Sequence, residues 1–311
     1  MDLTLVVVPY DLGREGVGSG RGPAAYLEGG AAEALRARGH DVEVVTARRS
    51  APFGSELEAV LDVDAAVAAL VAAAATDGRL PLVLAGNCNV TLGVRAGLLA
   101  AGIDDDAARG RLATIWLDAH GDFNTPLTTE TGYLDGMPLA MLTGRAFPET
   151  WVRLGGEPLH ETLTLHAGGR DLDPAEAAAL AASRITVVSG AAVRGRGLGE
   201  ALAPALDELA ARAGDVRRIA AGRPPAHLHV DIDVLDPDVA PAVCFPSPGG
   251  FTQAELLAAV EMTGARFDLR ALSLTSFAPE SAAASGTMEC GITVLATAAG
   301  VASGVPAATR R

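Results

Sequence analysis

The chain contains no lysine, because all 24 basic residues among its 311 are arginine. This absence excludes a Schiff-base lysine, a lysine general base and the phosphate-binding lysine of a P-loop. Gly16, Gly18 and Gly20 follow the first apolar stretch, but their spacing is not that of a dinucleotide-binding loop. The sequence therefore argues against both lysine chemistry and a bound nucleotide.

Cysteines and long apolar runs are also scarce. Three cysteines, Cys88, Cys244 and Cys290, are too few and too scattered for a disulfide framework. The longest alanine-rich run, residues 65–75, is far shorter than the roughly 20 residues of a membrane span. The first residues lack basic side chains and predict a strand rather than a signal peptide. We therefore expect a cytoplasmic protein without a membrane partner.

Positive charge is in deficit, since the net charge is −14. Such a balance argues against nucleic acids and anionic membranes as partners. Hydrophobic residues make up 49% of the chain and charged residues 20%, as in a soluble globular protein with a sizeable core. A small molecule is the expected binding partner.

Apolar stretches and helical segments alternate along the chain without a linker or a change of composition. Strands are predicted at 3–9, 41–46, 81–85, 113–117, 162–166, 185–188, 226–230 and 272–275, and helices at 23–38, 57–75, 90–101, 139–142, 175–182, 202–213, from 253, and 287–302. The alternation predicts a single domain, residues 1–311, with a three-layer α/β/α architecture around a doubly wound, mainly parallel sheet. Polar residues that follow the strands would then meet at the carboxyl edge of the sheet.

The residues after the strand at 113–117 form the most informative motif. Asp118, His120 and Asp122 occupy alternate positions, so their side chains can converge on one point. Asp231 and Asp233 repeat the pattern after the strand at 226–230. Clustered carboxylates repel one another unless a cation neutralises them. A single such motif is more often a cap or a loop contact, but the two together predict one shared metal centre of one or two ions.

These motifs resemble those of the arginase (ureohydrolase) family, and the resemblance covers nearly the whole chain. Residues 118–122 read Asp-Ala-His-Gly-Asp and residues 231–237 read Asp-Ile-Asp-Val-Leu-Asp-Pro, similar to the two metal-binding signatures of the family. Residues 169–173 and 136–138 are further similar segments. The resemblance implies an arginase-like fold, a trimer or hexamer, and hydrolysis of a guanidino group by hydroxide shared between two manganese ions.

The resemblance also assigns roles by position. The implied metal ligands are Asp118 and Asp231 as bridges, Asp122 in the first site, and His120 and Asp233 in the second. The implied substrate ligands are Asn124 and Thr131, for an α-carboxylate, and Asp173, for an α-amino group. The remaining histidines are expected to be structural, and His229, which has the parity of Asp231, is a conceivable support for the ligands.

Three positions depart from the family pattern. Cys88 stands where a first-site histidine is expected, so either its thiolate favours zinc or iron over manganese, or it is a small buried residue and one ion binds. Asp135 stands in place of a proton-carrying histidine, and Ser276 in place of a glutamate beside the guanidinium. Asp135 then supplies either the proton or the missing anionic partner, whereas Glu280 is expected to face solvent. These replacements argue against strict arginase activity.

Cys88 and the run from His120 to Leu134 also resemble a branch that includes the Nω-hydroxy-arginine hydrolase of cycloserine biosynthesis. We therefore expect a metal-dependent hydrolase of a C–N bond in a guanidino or amidino compound with an amino-acid end. One alternative is an arginase-fold protein of little activity that binds a small molecule or a partner chain. Another is a hydrolase of a different amide, as in deacetylases with a related sheet.

Overall fold

The computed structural model describes residues 1–103, 111–214, 222–281 and 283–304. The strands in these ranges are β1 (Asp2–Val8), β2 (Tyr10–Asp11), β3 (Arg14–Glu15), β4 (Asp41–Thr46), β5 (Leu80–Ala85), β6 (Ala113–Leu117), β7 (Thr164–Ala167), β8 (Thr186–Val188), β9 (Pro225–Asp231) and β10 (Asp268–Thr275). The helices are α1 (Gly22–Glu28), α2 (Ala31–Arg36), α3 (Glu56–Thr76), α4 (Val90–Ala100), α5 (Pro138–Leu142), α6 (Thr150–Leu154), α7 (Pro174–Ala182), α8 (Gly190–Arg196), α9 (Leu198–Ala213), α10 (Gln253–Arg266) and α11 (Ala284–Ala302).

Eight strands form one sheet in the order β4-β1-β5-β10-β9-β6-β7-β8, while β2 and β3 form a separate antiparallel hairpin. Each neighbouring pair in the large sheet is parallel. Helices flank the sheet, so the predicted three-layer α/β/α fold is confirmed. The order is not sequential, because β10, the last of the described strands, inserts between β5 and β9.

Strand β5 is apolar on both faces, which is why it pairs inside the sheet rather than at its edge. Strand β5 is buried at every position, whereas the edge strand β4 is largely exposed. Successive residues of β5 point into different layers: Leu82 and Leu84 join the larger hydrophobic core, and Val83 and Ala85 join the smaller one. The sheet is therefore covered on both faces.

Helix α3 is the long apolar helix of the smaller core. Ser55 and Glu58 cap its start reciprocally, and α3 packs along α4. Within the described ranges it is the helix with the length and composition to cross a membrane, but half of its apolar window is buried in the protein. Since a core helix has the same character, α3 adds no membrane partner to the expectation from the sequence.

Several element boundaries differ from the sequence prediction. The single helix expected over residues 23–38 is wrong: the chain forms α1 and α2, separated by Gly29 and Gly30. Gly30 has a φ of +88°, a left-handed conformation that ends the first helix and starts the second. Helix α8 was not expected, and α9 begins at Leu198 rather than at residue 202.

Candidate metal centre

Strand register brings the two acidic motifs together at the carboxyl edge of the sheet. Leu117 of β6 lies opposite Val230 of β9, so Asp118 and Asp231 follow on adjacent strands. Their side chains are only 1% and 4% exposed. Asp122 turns back toward them with a φ of +49°, which is strained for a residue other than glycine. The amides of Leu139 and Ala140 hold that turn by donating to the Asp122 carbonyl.

His120 lies between two carboxylates. Its Nδ1 is 3.1 Å from Asp233 Oδ2 and 3.5 Å from Asp118 Oδ1. The backbone fixes this cluster, since the His120 amide donates to Asp118 Oδ1 at 2.7 Å and the Ala119 amide donates to Asp233 Oδ1 at 3.2 Å. Burial by itself lowers the pKa of His120, but hydrogen bonds and charge from Asp118 and Asp233 outweigh it and raise that pKa to about 12. The cluster is an imidazole held by two acids.

Cys88 and the Asp233 amide contact different carboxylate oxygens of Asp231. Its Sγ donates to Asp231 Oδ2 at 3.0 Å and lies 3.2 Å from Thr275 Oγ1. Ser276 donates to the same carboxylate oxygen, from a backbone with a φ of +68°. Burial and the neighbouring Asp231 hold the pKa of the Cys88 thiol well above its usual range. The protonated Cys88 thiol and the Ser276 hydroxyl therefore both stabilise the Asp231 carboxylate.

The donor set fits a divalent metal. Ligand atoms of Asp118, His120 and Asp233 lie within 4.8 Å of one another, and so do those of Cys88, Asp118 and His229. Asp122 Oδ2 is buried and has no hydrogen-bond partner, so the folded chain leaves one acceptor for a cation. Burial and nearby carboxylates hold the pKa of both Asp122 and Asp233 well above the usual range. A cation would remove this cost of clustered acids.

A cavity of about 400 Å³ opens above the cluster. Ten of the eleven residues singled out in the sequence line it, namely Cys88, His120, Asp122, Asn124, Thr131, Asp135, Asp173, Asp231, Asp233 and Ser276. The eleventh, Asp118, touches His120 from below. On the wall, Asn124 Nδ2 donates to Asp173 Oδ2 at 3.0 Å. The structure therefore brings the predicted set together at one place.

Asp135 is positioned by the loop that follows β5. Asn87 Nδ2 donates to Asp135 Oδ2 at 2.7 Å, and the Asn89 amide donates to Asp135 Oδ1 at 3.3 Å. Asn87 is fixed in turn, since its Oδ1 accepts the Leu12 amide at 2.7 Å. Burial and the charge of Asp231 raise the pKa of Asp135 well above its usual range, although the Asn87 hydrogen bond opposes them. Burial therefore shifts Asp135 toward its protonated form.

Glu280 faces solvent, as expected, and pairs there with Arg21. Its side chain is 59% exposed, so it supplies no carboxylate to the cavity in place of Ser276. The Ser276 hydroxyl group donates its hydrogen bond to Asp231.

Sequence reasoning missed two residues that support the site. Glu176 accepts the amides of Phe123 at 2.8 Å and Asp173 at 3.3 Å, so it joins the loop after β6 to the start of α7. Its position three residues after Asp173, in the first turn of an alanine-rich helix, is the sequence signal of a capping box. Tyr133 forms the rim with Phe245, whose ring centroid is 5.4 Å away, and no periodic pattern marks that contact.

Comparison with known proteins agrees with this architecture. The chain matches the sequence model of the Arginase family over residues 1–300. It is 32% identical to the arginase of Bacillus caldovelox over 275 residues, which cover 84% of this chain and 85% of that one. It is 31% identical to the arginase of Neurospora crassa over an alignment of 320 residues, covering 96% and 86% of the two chains.

The native structure of the Bacillus caldovelox arginase superposes with a TM-score of 0.81 at 28% identity, covering 96% of this chain and 97% of that one. The parallel sheet and the acidic cluster at its carboxyl edge are those of a hydrolase. The chain belongs to the arginase family.

Proposed function

We propose that this protein hydrolyses a C–N bond in a guanidino or amidino compound that carries an amino-acid end, with divalent metal as cofactor. The observation that carries the proposal is the convergence of two acidic strand ends beneath a cavity whose wall is polar. The relatives at 31–32% identity are named arginases, which supports the same reaction class. Arginine and Nω-hydroxy-arginine are the two substrates to compare first.

The floor of the cavity would hold the cofactor, for which we propose manganese at the oxygen-rich position of Asp118, His120, Asp231 and Asp233. Divalent ions bound there would lower the pKa of a shared water and make it a nucleophile at neutral pH. Asp118 belongs to both groups of possible ligands, and the buried Asp231 accepts hydrogen bonds from Cys88 and from the Asp233 amide, which suits these two acids to contact two ions.

The wall of the cavity would bind the amino-acid end. Asp173 offers a carboxylate to an ammonium group, and Asn124 and Thr131 offer donors to a carboxylate. Asn124 and Asp173 already hydrogen bond to each other, so the chain holds the two groups in place before a substrate arrives. This arrangement orients the guanidino end of the substrate toward the acidic floor.

Asp135 would donate the proton that the leaving amine requires. It faces the cavity, it is held by Asn87, and burial raises its pKa, which favours the protonated form that a proton donor requires. The same residue would then act in place of the histidine that its position implies. A role as an anionic partner of the substrate would require the ionised form, so the pH dependence of the rate separates the two roles.

The first experiment combines metal analysis with a matched set of substrates. Protein reconstituted with Mn²⁺ is analysed for metal per chain and then assayed with L-arginine, Nω-hydroxy-L-arginine and agmatine for release of urea or hydroxyurea. Agmatine lacks only the α-carboxylate of arginine, so we expect its kcat/KM to be at least about tenfold lower than that of the better amino acid.

The outcomes separate the alternatives left by the sequence. Metal binding without turnover of any guanidino compound would favour the ligand-binding protein of little activity. Turnover of an acetylated polyamine, without a urea-type product, would favour the amide hydrolase. Failure to bind metal after reconstitution would contradict the proposal. The trimer or hexamer implied by the family stays a prediction, which sedimentation velocity would test. The cytoplasmic location also stays a prediction.

A further inference from the structure

We propose that His229 is a direct ligand of the first metal position, together with Cys88 and Asp118, and that this position selects zinc or cobalt over manganese. The inference deepens the proposed function and rests on it only in requiring that the site holds metal. It differs from the expectation from the sequence, in which His229 merely supports the ligands.

The backbone places His229 at the cluster. It lies two residues before Asp231 on β9, on the same face of the strand. Its cross-strand neighbours are Trp116 of β6 and Ser273 of β10. One of its ring nitrogens lies within 4.8 Å of both Cys88 Sγ and an Asp118 carboxylate oxygen. The three side chains come from separate segments, so this proximity is a product of the fold.

The His229 ring is held with one nitrogen unused. Its Nδ1 lies 2.8 Å from Ser273 Oγ, and its ring centroid is 4.0 Å from that of Trp116. Ser273 Oγ also lies 2.9 Å from His227 Nε2. A serine hydroxyl has one hydrogen, so when Ser273 donates it to His227 Nε2, its oxygen can accept a hydrogen bond from His229 Nδ1. His229 Nε2 is then an acceptor, and it is buried without a hydrogen-bond partner. In this tautomer, a His229 Nδ1–H that donates to Ser273 beside an Nε2 without a hydrogen-bond partner is the arrangement of a metal-binding histidine.

The ligand atoms of Cys88, Asp118 and His229 explain why this position should select zinc or cobalt. A thiolate, an imidazole and a carboxylate form the donor set of zinc sites, whereas manganese prefers oxygen. Asp231 Oδ2, 3.0 Å from Cys88 Sγ, is a further oxygen beside the group. Cys88 occupies the position where a histidine ligand is expected, so His229 would restore an imidazole from the neighbouring strand. The other position, around His120 and Asp233, remains oxygen-rich.

The test is a Co²⁺ titration of the full-length protein after chelator treatment. Bound thiolate gives a charge-transfer band in the near ultraviolet, and the visible d–d bands report the ligand geometry. The variants are Cys88→Ser, His229→Gln and, as a matched control, His227→Gln, which alters the other buried histidine that contacts Ser273. Competition of Zn²⁺ with Mn²⁺ measures the selectivity.

We expect the band in wild-type protein and in His227→Gln, and its loss in Cys88→Ser. His229→Gln should keep the band but bind Co²⁺ about 10–100-fold more weakly, with altered d–d bands. Wild-type affinity and an unchanged spectrum in His229→Gln would overturn the proposal. If His229→Gln does not fold, X-ray absorption of wild-type protein with one equivalent of Zn²⁺ decides: sulfur with imidazole supports the proposal, and sulfur without imidazole overturns it.

The inference and the proposed function fail separately. Guanidine hydrolysis by the manganese-loaded protein, with no thiolate band, would overturn the role of Cys88 and His229 while the proposed function stands. A thiolate band that depends on His229, without turnover of any guanidino compound, would overturn the proposed function and leave this metal position intact.

Discussion

Asp135 is the residue on which proton delivery depends. Burial and the charge of Asp231 raise its pKa, and only the protonated form can donate, so the rate should fall as the pH rises through that pKa. Asp135→Asn keeps the shape of the side chain but has no proton to give. We expect kcat to fall by about 10²–10⁴-fold and the alkaline fall in the kcat–pH profile to disappear.

Asp238→Asn is the matched control for this measurement. Asp238 is an exposed acid on the loop after β9 and does not line the cavity. Its variant should keep the wild-type profile. A profile in Asp135→Asn that retains the alkaline fall, with kcat close to wild type, would assign the proton to another group.

Single residues could be predicted from the sequence where a local pattern fixes their direction. Asp118, His120 and Asp122 follow a strand at alternate positions, and the structure brings them together with Asp231 and Asp233. The unused nitrogen of His229 could not be predicted, because it depends on Ser273 and Cys88. Their separation from His229 along the chain leaves no local signal of the contact.

Arg170 joins two loops at the level of secondary-structure elements. Its guanidinium donates to the backbone carbonyl of Gly168, after β7, and to carbonyls of the connection between β9 and α10, namely those of Asp233, Val234, Leu235 and Ser247. A lysine ammonium cannot reproduce this planar fork. We expect Arg170→Lys to lower the free energy of unfolding by about 2–4 kcal/mol and to weaken metal binding, because Asp233 loses its support.

Chemical denaturation and a Mn²⁺ titration measure both effects. Arg194→Lys is the control, since Arg194 contacts Glu255 at the surface at 2.7 Å and 41% of its side chain is exposed. The control should change stability by less than about 1 kcal/mol. Equal effects of the two substitutions would mean that Arg170 contributes only its charge.

Gly121 allows the loop after β6 to approach helix α7. A Cβ at this position would lie 2.6 Å from Glu176 Cδ. Glu176 cannot move away cheaply, because it is 4% exposed and accepts the amides of Phe123 and Asp173. Gly121→Ala should therefore cost about 1–3 kcal/mol in the free energy of unfolding and lower kcat/KM.

Thermal unfolding and steady-state kinetics test this expectation. Gly199→Ala is a control with the same chemical change, since Gly199 lies in α9 with nothing within 4 Å of its added Cβ. In a helix this change should be neutral or stabilise by up to about 1 kcal/mol. A neutral result at Gly121 would show that the loop and α7 can separate without loss.

Elements were predictable where one strong signal decided them. The apolar runs of β5 and β6 and the capping box of Thr252 and Glu255 identify their elements directly. The break between α1 and α2 was missed because alanine and leucine on both sides continue the helical pattern. The conformation of Gly30, which the sequence permits but does not require, makes the break.

Removal of metal should change how the stability of the whole molecule depends on pH. The folded chain holds the proton of His120 up to a pKa of about 12, whereas the unfolded chain releases it above about 6.5. The folded state thus binds more protons between these values, so its stability falls as pH rises, by about 1 kcal/mol per pH unit. Cys88, with its raised pKa, acts in the same direction.

Calorimetry in chelator should therefore give a lower Tm at pH 9 than at pH 7. Metal competes with protons for the same ligands. The Tm of the Mn²⁺-loaded protein should therefore fall less between pH 7 and pH 9, or rise. A chelator-treated protein that is as stable at pH 9 as at pH 7 would contradict the protonated cluster. The difference between the two Tm–pH curves measures the linkage between metal and protons.

The three-layer fold as a whole could be predicted, since strand and helix patterns alternate along the described chain. The order of the strands could not, because no residue of β10 marks it as the neighbour of both β5 and β9. That insertion places Thr275 and Ser276 beside Asp231 and Cys88. Strand order thus decides which polar groups share the floor of the cavity.

The position of Cys244 makes it a site for selective chemical labelling. Cys88 and Cys290 are buried, whereas Cys244 is exposed and lies at the mouth of the cavity next to Phe245. Local packing and Asp11 raise its pKa to about 11, so a maleimide or haloacetamide should react faster as the pH is raised. The fluorescence of a small label attached to Cys244 should change when a ligand enters the cavity, and a bulky label should block entry.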